Sequence, residues 1–427
     1  MKQLPTTENG LHGTIVVPGD KSISHRALMF GAMANGTTKV LRRLDSADVS
    51  STISVLRSLG AKITELDNDI TEVIGTGVSG LKDPTVDLDM GNSGTSTRLL
   101  TGLITGAGLQ ATITGDSSLS KRPMDRVIDP LSEIGGKFTS DHGHLPLTVQ
   151  KSTLSSTIKQ TLHVGSAQVK SAILLAGLAA GSDTFVTDPF HTRNHTEQML
   201  PKFGVKVDIK GDTIHIPANQ NLQPAEVEVP GDISSAAYWI VAGLITPNSE
   251  LTIKNVGVNP TRIGLLTVLQ QMGGDITINQ KDDIGEPIAD ITVKTSQLHG
   301  VVVGGDIIPS LIDEIPMIVL AATQATGTTV IKDAAELKVK ETDRIETVQE
   351  ELNKLNADVT PTEDGFIIKG GKQLVAQDTH VSGHADHRIA MMLSIAALVT
   401  NGTIILDDDE SVKISYPTFF NNLEGIV

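Results

Sequence analysis

Two hydrophobic patterns alternate along the chain, and each occurs six times. The first is a helix end running into a strand: "LRSLGAKI" at 56, "LSEIGGKF" at 131, "LPKFGVKV" at 200, "LQQMGGDI" at 269, "LNKLNADV" at 352 and a degenerate "FNNLEGIV" at 420. In most copies a Gly or Asn stands where a helix C-cap needs a left-handed residue, and a hydrophobic strand residue follows. The second pattern is an apolar, small-residue helix, a short turn and a Thr/Val/Ile strand. Its copies are "SHRALMFGAMANGTTKVL", "TSTRLLTGLITGAGLQATI", "VKSAILLAGLAAGSDTFV", "SSAAYWIVAGLITPNSELTI", "DEIPMIVLAATQATGTTVI" and "HRIAMMLSIAALVTNGTIIL". These helices are apolar almost all round, which predicts that they are buried. Their Ala and Gly residues predict close packing between them. Successive copies fall roughly 70 to 80 residues apart, the length of one α/β unit rather than of a solenoid repeat. Strands alternating with helices give an α/β class. Six units divide into three plus three, so two domains with helices inside and sheets outside are expected.

The starts of the buried helices are polar. Lys21, Ser22 and Arg26 open the first; Asn92, Ser93, Gly94 and Arg98 surround the second; Ser166 and Gln168 open the third. Asp232 and Ser234 open the fourth, Asp313 and Glu314 the fifth, and Asp386, His387 and Arg388 the sixth. Much of this is ordinary capping by Ser, Asp and Asn. Arg26, Arg98 and Arg388 are not caps. A helix N-terminus already carries partial positive charge, so cations there cost stability unless an anion sits opposite. If equivalent helix ends point the same way, each half presents a cluster of N-termini, and two halves facing each other form a cleft for polyanions.

Composition narrows the partners. The 427 residues exceed one core, are 39% hydrophobic and 20% charged, and carry a formal net charge of −16. That charge, with eight Phe, two Tyr and one Trp, argues against a nucleic-acid partner. A cationic site in such a chain must be local. The absence of cysteine removes disulfides, thiolate nucleophiles and Cys-based zinc sites. "MKQLPTTENG" has no apolar core and the longest apolar runs are too short to cross a bilayer, so no signal peptide, no membrane and a cytoplasmic location are expected.

Several local motifs carry candidate chemistry, each beside a plainer reading. "GDSSLSKRPMDR" holds Lys121, Arg122 and Arg126; such a cluster is commonly a solvated face, but Pro123 fixes the backbone after Arg122. In "ELKVKETDRIE", Lys340 and Arg344 are four apart and Glu341 is three from Arg344, which on a helix is one face. That is either a surface ion-pair ladder or an anion grip with Glu341 in proton transfer. Asp313 and Glu314 before a buried helix are either first-turn acids or, for one of them, a general base. His191, His195, His384 and His387 form no recognised ligand pattern, so no metal is expected. Arg193 and Arg388 are better candidates as forks for carboxylate or phosphate. "GNSGTSTR" could hold an anion through backbone N–H groups. The acidic run at 407 to 410 reads as a solvated turn.

Taken together, "PGDKSISHR", "GNSGTSTR", "KRPM", "GSAQVKSA", "LIDEIPM", "LKVKETDR" and "DHRIAM", in that order and over the whole chain, resemble the EPSP synthase family of enolpyruvyl transferases. The resemblance implies a two-domain inverted α/β barrel of six repeated α/β units, with residues 1–19 and 229–427 in one domain and 20–228 in the other. It implies transfer of the carboxyvinyl group of phosphoenolpyruvate to the 5-hydroxyl of shikimate 3-phosphate, by a monomer without a cofactor. Lys21, Ser22, Arg26, Ser166, Gln168, Asp313 and Lys340 would contact shikimate 3-phosphate, with Arg193 reaching its phosphate or carboxylate. Lys21, Gly94, Arg122, Gln168, Arg344 and Arg388 would hold phosphoenolpyruvate. Asp313 would take the hydroxyl proton, and Glu341 with Lys21 would handle the proton at the methylene. The nearest rival is UDP-N-acetylglucosamine enolpyruvyl transferase, most members of which use a cysteine acid that this chain lacks. A non-catalytic anion binder is the rival of another class; it would not need Asp313 and Glu341.

Three positions depart from the family pattern. Ser166-Ala167 replaces a pair of serines that many members carry, Glu336 stands where the later motif has Asn, and Ile414 replaces a lysine, with Lys413 one residue earlier. The first and last suggest the divergent bacterial branch that often tolerates the herbicide glyphosate, which targets the family. Tolerance is therefore expected in a turnover assay at ordinary phosphoenolpyruvate; inhibition at low micromolar glyphosate would contradict it.

Overall fold

The computed structural model describes residues 1–66, 69–281, 286–376 and 379–427. Its contacts divide the chain into two compact units, Gly19–Val229 and Met1–Pro18 with Pro230–Val427. Each unit has its own hydrophobic core.

In the continuous unit, a buried helix alternates with a peripheral one: α1 (Lys21–Met33), α2 (Ala47–Ser58), α3 (Gly94–Gly106), α4 (Asp125–Glu133), α5 (Ala167–Ala180) and α6 (His195–Met199). The other unit repeats the alternation with α7 (Ile233–Ile245), α8 (Gly264–Gln271), α9 (Ile315–Thr323), α10 (Arg344–Lys354), α11 (His387–Ala396) and α12 (Phe419–Glu424). The odd-numbered helices are those with the apolar sequence pattern, and every residue of α7 and of α9 is buried. Small residues set the packing distance. On α3, Gly102 and Gly106 lie one turn apart against the Ala172 and Ala176 carbonyls of α5, where any Cβ would collide with backbone.

Each buried helix runs into a strand, as its sequence pattern requires. In the continuous unit the three sheets are four-stranded. Asp183–Thr187 pairs in parallel with Thr157–Thr161 and antiparallel with Thr213–Ile216, which completes a hairpin with Asp208–Lys210. The alternating burial of strands such as Ile70–Thr76 leaves one face to solvent and packs the other on the helices. Helices are thus inside and sheets outside in each unit. Two parallel pairs tie distant sequence together: Glu226–Glu228 with Lys39–Leu41, and His12–Val16 with Glu250–Lys254. In the discontinuous unit the last sheet is split into three and two strands.

The helix-end pattern is borne out in five copies. Gly60, Gly135, Gly204, Gly273 and Asn356 all have positive φ and precede strands. The sixth differs. Gly425 has φ −82°, outside the left-handed region, and α12 is the last element described.

Candidate active site

In the unit Gly19–Val229, cations collect at the starts of α1 and α3. The Asp20 carboxylate caps α1 by accepting from Ile23 N at 2.9 Å. Lys21, in the first turn, pairs with the buried Asp48 of α2. Arg26 is buried, and its guanidinium donates to Thr196 Oγ1 (2.8 Å), Ser171 Oγ (2.8 Å) and the Ser22 carbonyl (3.0 Å). These bonds fix the plane of the fork. Ser93 caps α3. A Cβ built on Gly94 would lie 3.0 Å from Arg98 Nη1 and 3.5 Å from Arg122 Nη1, so two guanidinium groups converge on the first residue of that helix. Arg122 donates to Asn92 Oδ1 at 2.7 Å, and Asn92 Nδ2 in turn donates to Asp116 at 2.7 Å. Arg122 forms no ion pair among the described residues, and its acceptors, Asn92 and Ser118, are neutral. The first-turn N–H groups of a helix have no intrahelical partners and point the same way as its positive end. An arginine left uncompensated there is an anion-binding arrangement.

Gln168 links α5 to this place: Arg98 Nη1 donates to its Oε1 at 2.5 Å, and its Nε2 donates to Thr95 Oγ1 at 3.1 Å. Ser166 caps α5 through Val169 N, and Ala167 follows at the first helical position. Arg193 belongs to a segment anchored by buried charge. Lys170 Nζ lies 2.9 Å from Asp188, 2.8 Å from Glu197 and 3.0 Å from the Thr192 carbonyl. Lys170 outweighs the effect of burial on Asp188 and holds its carboxyl below the ordinary range.

In the other unit the charged groups form one connected network. Arg344 Nε and Nη2 donate to the two oxygens of Asp386 at 2.7 and 3.2 Å, and Nη2 also reaches Glu341 Oε2 at 2.5 Å. Its buried Nη1 has no hydrogen-bond partner among the described residues and lies 3.6 Å from Asp313 Oδ1. Burial opposes the charge on Arg344, but Asp386 and Glu341 hold it protonated above the ordinary range. Asp386 is buried too, and Arg344 outweighs that burial and keeps its carboxyl low. Lys340 Nζ stands 3.5 Å from Asp313 Oδ1. Arg388 Nη1 donates to the Asp313 carbonyl at 3.2 Å and lies 3.7 Å from the buried Glu314 carboxylate. The Asp313 carboxylate is therefore bracketed by an ammonium and a guanidinium.

Several sequence readings change here. Lys340, Glu341 and Arg344 do not share a helical face: α10 begins at Arg344, and Lys340 ends a 3-10 turn spanning Ala335–Val339. The reason is Asp343, which accepts from Ile345 N and Glu346 N as the N-cap; the Asp343…Glu346 spacing carries that signal in the sequence. Arg344 nonetheless reaches Glu341, and Lys340 and Arg344 meet at the Asp313 carboxylate. Glu314 stands at the N-cap position of α9 but its side chain makes no capping bond, and it is no surface acid: its carboxylate is buried against Ser234, with Arg262 3.8 Å away. The acidic run is not merely solvated, since Asp407 binds His380 and Asp408 Oδ2 accepts from Ala385 N. Lys413 is exposed and paired with Glu410, and Glu336 adds a carboxylate 4.0 Å from Lys340. Asp48 and Arg262 had no local sequence signal as site residues, because their partners lie far along the chain.

The EPSP synthase (3-phosphoshikimate 1-carboxyvinyltransferase) family model matches residues 5–423. The chain belongs to the EPSP synthase family. It is 51% identical to the 3-phosphoshikimate 1-carboxyvinyltransferase of Geobacillus kaustophilus, over 100% of both chains. It is 50% identical to that of Lactococcus lactis, over 99% of each. Among solved structures, an EPSP synthase from Acinetobacter baumannii aligns with TM-score 0.88 and 42% identity, covering 99% of this chain and 97% of the other. The enolpyruvyl transferase NikO from Streptomyces tendae aligns with TM-score 0.81 over 99% and 96%, at 18% identity, and shares the fold. No helix among the described residues is long and apolar enough to cross a membrane.

In this EPSP synthase family member two histidines of the quoted motifs are buried as neutral rings. Burial, aided by Lys21, pushes His25 down to about 3 from an ordinary value of 6.5; its Nδ1 bonds Thr52 Oγ1 at 2.8 Å. Burial likewise pushes His387 down to about 4. Each depressed histidine lets the unfolded chain bind a proton that the folded chain refuses. Stability is unaffected above about pH 6.5, falls as pH drops below it, and stops falling once the folded form titrates. At pH 5 the loss is roughly 2 kcal/mol per histidine. Urea unfolding at pH 7 and pH 5 measures it. His387→Gln is expected to shrink the difference by about 2 kcal/mol, and an unchanged difference would show that this ring protonates freely in the folded protein.

Proposed function

We propose that this chain catalyses the reaction of its family: the carboxyvinyl group of phosphoenolpyruvate passes to the 5-hydroxyl of shikimate 3-phosphate, and phosphate leaves. The full-length relatives support this reading, and the observation that carries it to particular residues is the bracketed Asp313 carboxylate. Both substrates are multiply anionic, so cations are needed to bring them together, more so as water is excluded. Lys21, Ser22, Arg26, Ser166, Gln168, Asp313 and Lys340 are assigned to shikimate 3-phosphate, with Arg193 at its phosphate or carboxylate. Lys21, Gly94, Arg122, Gln168, Arg344 and Arg388 are assigned to phosphoenolpyruvate. The convergence of guanidinium groups at Gly94 adds Arg98, which holds Gln168.

In the addition step, Asp313 removes the proton from the 5-hydroxyl as its oxygen attacks the central carbon of phosphoenolpyruvate. The methylene carbon gains a proton, a delivery assigned to Glu341 and Lys21, and a tetrahedral adduct forms. In the elimination step, the new methyl group returns a proton and the carbon–oxygen bond to phosphate breaks. Positioning, charge and proton transfer suffice for this chemistry, and no cofactor takes part in it. The two contact units are proposed as the two domains of the enzyme. A UDP-N-acetylglucosamine acceptor is not favoured, since the family model and the named relatives are EPSP synthases and the chain has no cysteine.

Phosphate release from phosphoenolpyruvate is expected with shikimate 3-phosphate and not with UDP-N-acetylglucosamine; the reverse result would replace this reading. Asp313→Ala is expected to keep shikimate 3-phosphate binding by calorimetry while turnover falls by about a hundredfold or more. Near-normal turnover would remove Asp313 from the role of base.

A further inference from the structure

We propose that Glu351, a buried carboxylate that touches neither assigned substrate residue nor reacting atom, is a positioning residue that sets Arg344 through the turn 382–386. The proposal rests on the assignment of Arg344 to phosphoenolpyruvate. Arg344 owes its orientation to the bidentate bond with Asp386, but Asp386 follows an unusual piece of backbone. His384 has φ 52° and Ala385 φ 57°. Two consecutive left-handed residues, neither of them Gly or Asn, are strained; histidine tolerates that region better than most, but nothing in the side chain of Ala385 favours it. The surroundings must hold it.

Two carboxylates do so. Glu351 Oε2 accepts from Ser382 N at 2.9 Å, and Glu351 Oε1 lies 2.6 Å from His384 Nε2. From the other side, Asp408 Oδ2 accepts from Ala385 N at 3.0 Å. The turn closes on itself through Asp386 N and the Gly383 carbonyl, 2.8 Å apart. Glu351 and Arg344 stand seven residues apart on α10, hence on the same face and about 10 Å apart along the axis. One rigid helix thus grips both ends of the strained turn: Glu351 holds its beginning and Arg344 holds Asp386 at its end. Glu351 is fully buried, and Lys354 Nζ at 2.7 Å balances its charge. Glu350, Glu351 and His384 also bring three ligand-type atoms within 4.8 Å of one another, but the Lys354 ammonium already fills the place of a cation there.

Released from Glu351, the turn relaxes out of the left-handed region, Asp386 shifts, and Arg344 loses its fixed fork. The test measures steady-state constants for Glu351→Gln, for Arg344→Gln, and for Glu351→Gln combined with Ala385→Gly, since glycine holds a positive φ without strain. Glu351→Gln is expected to raise KM for phosphoenolpyruvate about tenfold, with kcat within about threefold and KM for shikimate 3-phosphate within about twofold. The added Ala385→Gly is expected to recover most of that rise, which a general loss of stability would not allow. Asp408→Asn, at a half-buried position, is expected to shift the same constant in the same direction by about threefold and serves if Glu351→Gln fails to fold. Arg344→Gln separates the two ideas. If it leaves KM for phosphoenolpyruvate unchanged, the substrate assignment fails. If it raises that KM while Glu351→Gln and Asp408→Asn do not, or if no rescue by Ala385→Gly occurs, the positioning role fails.

Discussion

A cation buried beside the start of a helix is penalised twice, once by the loss of water and once by the positive end of the helix dipole. This protein repeats that arrangement, and its architecture is organised around making it tolerable. Lys21 and Arg26 sit in the first turns of α1, Arg98 in α3, Arg344 at the first position of α10 and Arg388 near the start of α11. The acids that answer them come from elsewhere in the chain: Asp48 for Lys21, Asp386 for Arg344, Glu314 for Arg388. Elsewhere neutral groups aim the cation without cancelling its charge, as Asn92 does for Arg122. The cations are held in place before any anion arrives, and the binding energy of an incoming polyanion need not be spent on ordering flexible side chains.

The fold serves this end through its buried helices. Because α1, α3, α5, α7, α9 and α11 are sheathed in apolar and small residues, their long axes are fixed by packing, to the point that Gly102 and Gly106 touch the backbone of α5. A helix fixed that firmly carries its first turn with it. The polar N-terminal residues then sit on a rigid mount, which suits chemistry that depends on the placement of charges and protons. The sheets take the outer positions, where one face of each can meet solvent.

The sequence shows the repeated framework clearly because periodicity and small-residue content are local properties. All six apolar helices, their following strands and five of the six left-handed helix ends can be read from residue order alone. The charged network is less legible, because its partners are brought together by folding. Asp48 lies 27 residues from Lys21, and Glu351 reaches Ser382 and His384 across another element. The stretch from Lys340 to Arg344 misleads for a specific reason: its i,i+4 charge spacing suggests a helix face, but Asp343 is a better cap than an interior helical residue, so the helix starts later. A cap signal outranks a charge pattern when both fall on the same few residues.

The most direct test of this account is the state of the Arg344 guanidinium in the ligand-free protein. Arginine Nε–H resonances, assigned with an Arg344→Lys variant, report both exchange with water and hydrogen bonding. With Asp386 and Glu341 already in place, the Arg344 Nε–H should be slow to exchange without any ligand and should move little when phosphoenolpyruvate is added. A signal that exchanges as fast as those of exposed arginines, and becomes protected only on adding the ligand, would show that the grip is assembled by the substrate and would contradict the account.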